Sequence, residues 1–211
     1  MSIDDAATVH LVDDEAPVRD ALAFLFHTHG LVARTYASGP EFLGALDDCA
    51  PATPLGGCVV LDVRMEPLSG LQVHDELIAR GVALPVIFLS GHGDIPMAVD
   101  ALHKGAFDFV EKPFSDEALV ERVQRALQRE AQDRAARSDE ERAAAQFGSL
   151  TEREHEVMLR VAAGKLNKVI ADELGIAMRT VEVHRARVFA KLRVRSAAEV
   201  ATLLARHGAK P

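Results

Sequence analysis

Cys58-Val59-Val60-Leu61-Asp62 is an apolar run ended by a carboxylate, and three other runs end in polar groups in the same way. Thr8-Val9-His10-Leu11-Val12 runs into Asp13-Asp14, Val86-Ile87-Phe88-Leu89 into Ser90, and Asp108-Phe109-Val110-Glu111 into Lys112. Short apolar runs without alternation are the mark of strands buried on both faces, as in a parallel sheet. The ends of such strands open onto one crevice at the point where the strand order reverses. That crevice is where this chain is expected to do its chemistry.

Outward from these runs, amphipathic stretches fit helices near 17–29, 40–47, 70–80 and 95–104, with Gly30, Gly81 and Gly105 placed to end three of them. Strands alternating with helices predict a doubly wound, flavodoxin-like α/β domain with five parallel strands. A fifth helix is expected from Ser115, with Asp116 and Glu117 in its first turn and Leu119, Val120, Val123 and Leu127 on its apolar stripe. From Gln128 to Ala145 the chain is rich in Ala, Arg, Glu and Gln, with no Gly or Pro. That composition favours a helical linker, either self-associating or simply solvated, broken at Gly148.

Beyond Leu150 the pattern is all helical. Thr151-Glu152-Arg153-Glu154 and Ser196-Ala197-Ala198-Glu199 both read as capping boxes. Asn167 to Leu174, a Gly175-Ile176 turn and a helix from about Arg179 to Leu192 predict a helix-turn-helix within four short helices. The expected organisation is therefore 1–127, a linker over 128–148, and 149–211.

The net charge of −8 is unevenly spread. Residues 149–211 hold 12 Lys+Arg against 7 Asp+Glu, a net of +5, whereas 1–148 hold 12 against 25, a net of −13. A basic tail on an acidic body points to a polyanion partner for the tail. No apolar run approaches the roughly 20 residues of a membrane span, and the acidic start Met1-Ser2-Ile3-Asp4-Asp5 is unlike a signal peptide. Cys49 and Cys58 suggest two reduced thiols and a cytoplasmic location.

Within the crevice, Asp13, Asp14 and Asp62 repel one another unless a cation joins them. Oxygen-only ligands suit Mg2+, which would neutralise an incoming phosphoryl group while Asp62 attacks it. Lys112 and the Ser90 hydroxyl would grip phosphoryl oxygens, and a cis Lys112-Pro113 bond would aim the lysine. Each piece alone has a plainer reading: the acidic pair as a helix cap, the serine as structural, the lysine as solvated. Their coincidence at four strand ends favours a site.

In the tail, Val181, Val188 and Leu192 share one face of their helix, while Arg179, Glu182, Val183, Ala186 and Arg187 share the other. That is recognition-helix geometry, with one side packed and the other free to enter a major groove. Arg187 suits guanine and Glu182 cytosine. Lys168, Thr180, Arg185 and Lys191 flank the face as candidate phosphate contacts. A solvated basic helix is the alternative.

On these residues the chain resembles two-component response regulators of the FixJ/StyR type. Leu-Val-Asp-Asp-Glu, Val-Leu-Asp-Val-Arg-Met, Glu-Lys-Pro-Phe and the segment Ser90 to Val99 carry the receiver resemblance over Val9 to about Leu127. Leu150 to Glu154, Thr180 to Arg185 and Leu192 to Ser196 carry a resemblance to LuxR-type DNA-binding domains. The resemblance implies Asp62 as phospho-acceptor, with Asp14, Asp62 and the Arg64 carbonyl on Mg2+ and Asp13 acting through water. It implies a switch made of Ser90 and Phe109, and a sensor histidine kinase as donor. It further implies a homodimer formed on phosphorylation through roughly 95–127, double-stranded promoter DNA as target, and activation with RNA polymerase as a partner.

Three places depart from the family pattern. Glu66-Pro67-Leu68-Ser69-Gly70 replaces Pro-Gly-Met-Ser-Gly, so altered loop geometry and weaker metal or phosphodonor binding are expected. Serine replaces the commoner threonine at 90. Ala177 stands where a capping serine is usual. Two other readings stay open. A magnesium phosphatase would want a second acid two residues after Asp62, where Arg64 stands, and a vestigial receiver would leave a phosphorylation-independent DNA-binding protein.

Overall fold

The computed structural model describes residues 8–48, 55–91 and 95–207, in two compact units, Met1–Arg134 and Ala135–Pro211. The expectations for Met1 to Asp5, Cys49 and the His92–Asp94 part of the resemblance lie outside the described residues.

In the first unit β1 (Thr8–Val12), β2 (Val32–Tyr36), β3 (Cys58–Asp62), β4 (Val86–Ser90) and β5 (Asp108–Glu111) form one parallel sheet in the order β2-β1-β3-β4-β5. Between them run α1 (Ala16–Thr28), α2 (Gly39–Asp47), α3 (Gly70–Ala79) and α4 (Ile95–His103), followed by α5 (Asp116–Gly148). This is the doubly wound α/β sheet that the runs predict. β1, β3 and β4 are buried at every position because helices cover both faces. Alternation then splits each strand between two cores: Cys58 and Val60 pack with Leu22, Phe26, Leu119 and Val123, while Val59 and Leu61 pack with Phe42, Val73, Leu77 and Phe88. β2 is an edge strand, Val-Ala-Arg-Thr-Tyr, and only Tyr36 is buried.

The chain passes from β1 outward to β2 and then back across to β3, so the strand order reverses between the ends bearing Asp13 and Asp62. Beyond Asp62 the chain turns back at once, with the Gly70 amide donating to the Val63 carbonyl (3.0 Å). Gly70 is required by contact: a Cβ there would stand 2.2 Å from the Asp62 carbonyl oxygen. α3 then starts on a capping box of Ser69 and Gln72.

α5 is one helix of 33 residues. Ser115 Oγ accepts the Ala118 amide at its start (3.2 Å), and Leu119, Val120, Val123, Ala126 and Leu127 are buried in the first unit. Further along, same-helix pairs Arg129–Asp133 (2.7 Å) and Arg142–Asp139 (2.9 Å) give modest support to the polar stretch.

The second unit holds α6 (Glu152–Ala162), α7 (Asn167–Leu174), α8 (Met178–Leu192) and α9 (Ala197–His207) around Val157, Met158, Val161, Ile170, Val181, Val188, Leu192 and Val200. Gly175 at φ 62° makes the tight turn between α7 and α8. The Thr151–Glu154 capping box forms as expected. The second expected box forms differently: Ser196 Oγ accepts the Glu199 amide (3.2 Å), but Glu199 reaches back to the Arg195 amide (3.0 Å). Among the described residues no helix is long and apolar enough to cross a membrane.

Candidate functional site

Three buried polar side chains, Asp13, Asp62 and Ser90, stand at neighbouring strand ends, and Lys112 enters from the end of β5. Its ammonium donates to Asp62 Oδ1 (2.8 Å) and Asp13 Oδ2 (3.3 Å). Backbone amides take the remaining carboxylate oxygens: Arg64 N–H donates to Asp62 Oδ2 (2.7 Å) and Glu15 N–H to Asp13 Oδ1 (2.8 Å). The Lys112 amide donates to the Ser90 carbonyl (2.7 Å), which ties the two strand ends together. Lys112-Pro113 is cis, as expected, and Glu66-Pro67 in the departing loop is cis as well.

Burial raises the proton affinity of Asp13 above that of an ordinary carboxylate, although the Glu15 amide and Lys112 pull the other way. Desolvation also works against the Lys112 ammonium, but its bonds to Asp62 and Asp13 outweigh it and hold the proton more tightly than usual. The two results agree. The pair of acids costs energy to bury, and the lysine is the positive charge that repays part of it.

Asp14 is exposed beside Asp13 in the chain, and Arg64 is exposed two residues beyond Asp62. Neither acid caps α1: Glu15 is its N-cap residue and makes no side-chain cap bond. Among the described residues no three Asp, Glu, His or Cys side chains gather as a group that could hold a metal ion. Two buried carboxylates bridged by a cation, with the exposed Asp14 next to one of them and the Arg64 backbone two residues beyond the other, nevertheless supply hard oxygen donors. Such a set fits Mg2+, which keeps most of its waters and needs only one or two carboxylates. Phe109 is half-buried, packed on the α2–α3 side of the sheet with its ring 6.1 Å from Phe88.

On α8, Arg179, Thr180, Val183, Ala186 and Arg187 are exposed on the side away from Val181, Val188 and Leu192, and Lys168 is exposed on α7. Glu182 is half-buried and pairs with Arg179 (3.2 Å). Two expected phosphate contacts have structural duties. Arg185 bonds Asn167 Oδ1 (2.9 Å) and lies over the Phe189 ring. Lys191, also expected on a phosphate, has its ammonium held by Glu154 Oε2 (2.6 Å) and the Ser149 carbonyl (2.8 Å). Ala177 leaves α8 without a side-chain cap, as expected.

Two residues that matter here are silent in the sequence. Arg19 looks like a solvated helix residue, yet its Nη1 donates to the Asp13 carbonyl (2.7 Å). Gly70 stands in the sequence only as the end of the Glu66–Gly70 stretch, with nothing there to show its contact with the Asp62 main chain.

Residues 9–124 match the response regulator receiver domain family, and residues 148–204 match the LuxR family of bacterial regulatory proteins. The chain is 49% identical over 200 residues to the C4-dicarboxylate transport transcriptional regulatory protein DctR of Rhodobacter capsulatus, covering 93% of this chain and 98% of the relative. It is 39% identical over 208 residues to the transcriptional regulatory protein FixJ of Azorhizobium caulinodans, covering 98% and 96% respectively. The structure of the response regulator StyR superposes with a TM-score of 0.87 at 39% identity, covering 94% of this chain and 98% of that one. With both halves matched in order and full-length relatives on either side of the comparison, the chain belongs to the two-component response regulators that regulate transcription, a receiver domain followed by a LuxR-type helix-turn-helix DNA-binding domain.

Proposed function

We propose that Asp62 accepts a phosphoryl group from a sensor histidine kinase and that this event controls binding of the second domain to promoter DNA. The observation that carries the proposal is the bridge Asp13–Lys112–Asp62 at adjacent strand ends beside Ser90. A carboxylate oxygen of Asp62 attacks phosphorus while the bond from phosphorus to the kinase histidine breaks, and the imidazole leaves with its electron pair. The Arg64 amide aims the carboxylate by holding Oδ2, and Lys112 transfers its grip from Oδ1 to a phosphoryl oxygen. The Ser90 hydroxyl offers a further donor. Asp14, Asp62 and the Arg64 carbonyl, with Asp13 through water, would hold Mg2+, which supplies positive charge to the phosphoryl oxygens when bound.

Ser90 and Phe109 form the switch that reads this charge. The chain turns over no external substrate, and the acyl phosphate is lost only by slow hydrolysis. A homodimer then forms through 95–127, where Ile95, Val99 and Leu102 make an exposed apolar stripe on α4. Residues 128–148 serve as the helical linker to 149–211. There Arg179, Glu182, Val183, Ala186 and Arg187 face the major groove, with Lys168, Thr180 and Arg185 on phosphates and Lys191 flanking them while tied to Glu154. Activation with RNA polymerase as partner completes the reading.

Phosphate-affinity electrophoresis after treatment with acetyl phosphate and Mg2+ tests it. The wild type should give a retarded band that Asp62→Asn lacks. A wild type without that band, still binding DNA, would favour a vestigial receiver.

A further inference from the structure

Asp13 is held from four directions. Its amide donates to the Tyr36 carbonyl (3.3 Å), Oδ1 accepts from Glu15, Oδ2 faces Lys112, and its carbonyl accepts from Arg19 Nη1 (2.7 Å). The first three hold the residue itself. The fourth fixes the peptide plane between Asp13 and Asp14, and that plane sets the direction in which Asp14 leaves the chain. Asp14 is exposed, so its aim depends on its backbone.

Arg19 is well built for this task. It lies one turn into α1, half-buried, with its own amide bonded to the Glu15 carbonyl (3.1 Å). The bond from its planar guanidinium is charge-assisted and directional, unlike that of a mobile ammonium.

We infer that Arg19 is a positioning residue: by pinning the Asp13–Asp14 peptide it sets the affinity of the crevice for a divalent cation. The inference rests on the metal site proposed above. A guanidinium bonded to the Asp13 carbonyl would by charge alone repel a cation at the crevice, whereas its hydrogen bond preorganises the donors. Removing it therefore has opposite signs under the two effects.

Amide NMR titration of the full chain with MgCl2 measures affinity and reports the fold at once. The series is wild type, Asp14→Asn, Arg19→Met (stem kept, donor lost), Arg19→Lys (a donor kept) and Arg19→Gln. Arg19→Met should weaken Mg2+ about tenfold or more, the cost usual for losing an outer-shell partner, and Arg19→Lys should recover part of the loss. Unchanged or tighter binding in Arg19→Met overturns the inference. Should Arg19→Met fail to fold, Arg19→Gln decides in the same way. A wild type blind to Mg2+ overturns both the metal site and this inference. A wild type whose binding falls in Asp14→Asn but not in any Arg19 variant keeps the site and removes only the role of Arg19.

Discussion

Lys112 crosses from the end of β5 to the acid at the end of β3, its ammonium closer to Asp62 (2.8 Å) than to Asp13 (3.3 Å). The shorter contact is to the residue proposed to gain charge, so the cation that stabilises the resting acids is already in place for the product.

Replacing Lys112 with Met leaves two like charges buried together. Unfolding in urea should show a loss of about 1–3 kcal/mol at neutral pH, below the usual cost of breaking a buried pair because the lysine is partly solvated. The raised affinity of Lys112 for its proton means that its contribution is complete below the ordinary value of 10.5. It is lost as pH rises through the higher folded value, so the gap between wild type and variant should narrow in strong alkali. A constant gap across that range would separate the lysine from its charge.

Asp13→Asn should stabilise the resting chain. Burial raises the carboxyl above 3.8, so its contribution favours the fold below 3.8 and is lost as pH rises through the raised folded value. At pH 7 the native state thus carries a cost that asparagine removes, a gain of about 0.5–2 kcal/mol. Urea midpoints should converge as pH falls toward 3.8, and Mg2+ binding should weaken in the same variant.

In the second domain Glu154 is buried between the Lys191 ammonium and the Thr151 amide, and these bonds bring its carboxyl down to about 2 from 4.5. A depressed value gives stability that is present above 4.5 and lost as pH falls through about 2. Glu154→Gln should cost about 1–3 kcal/mol at pH 7 and flatten the acid limb of the unfolding curve. Hydrogen exchange at α6 amides would localise the effect.

DNA affinity should separate Arg187 from Lys191. Arg187→Ala should cost about 1–3 kcal/mol and relax preference at one base, whereas Lys168→Ala should weaken all sequences alike and lower the salt slope by about 1. Lys191→Met should chiefly lower stability, because its ammonium serves Glu154. Electrophoretic mobility titrations at several salt concentrations distinguish these outcomes.

The four strand ends were legible because burial on both faces forces unbroken apolar runs, and each run stops where a polar group meets the crevice. The capping box at Thr151 was equally legible, since it is local. Lys191 was not: its partner Glu154 lies 37 residues away, and helical spacing says only which face a lysine shares. Arg19 was hidden for a related reason, since a basic residue early in a helix reads as solvated unless its target carbonyl is known. β2 shows little apolar signal because an edge strand buries little, and its place followed from the helices on either side. The reach of Glu199 past Ser196 to Arg195 is a detail of chain entry angle that no sequence spacing encodes.

Gly70 leaves the receiver without slack at its most sensitive point. The first turn of α3 rests on the main chain of Asp62, so one added methyl group would push either the helix or Asp62 aside. Asp62 can therefore be retuned from outside the crevice, by a substitution that alters no charge and touches no ligand.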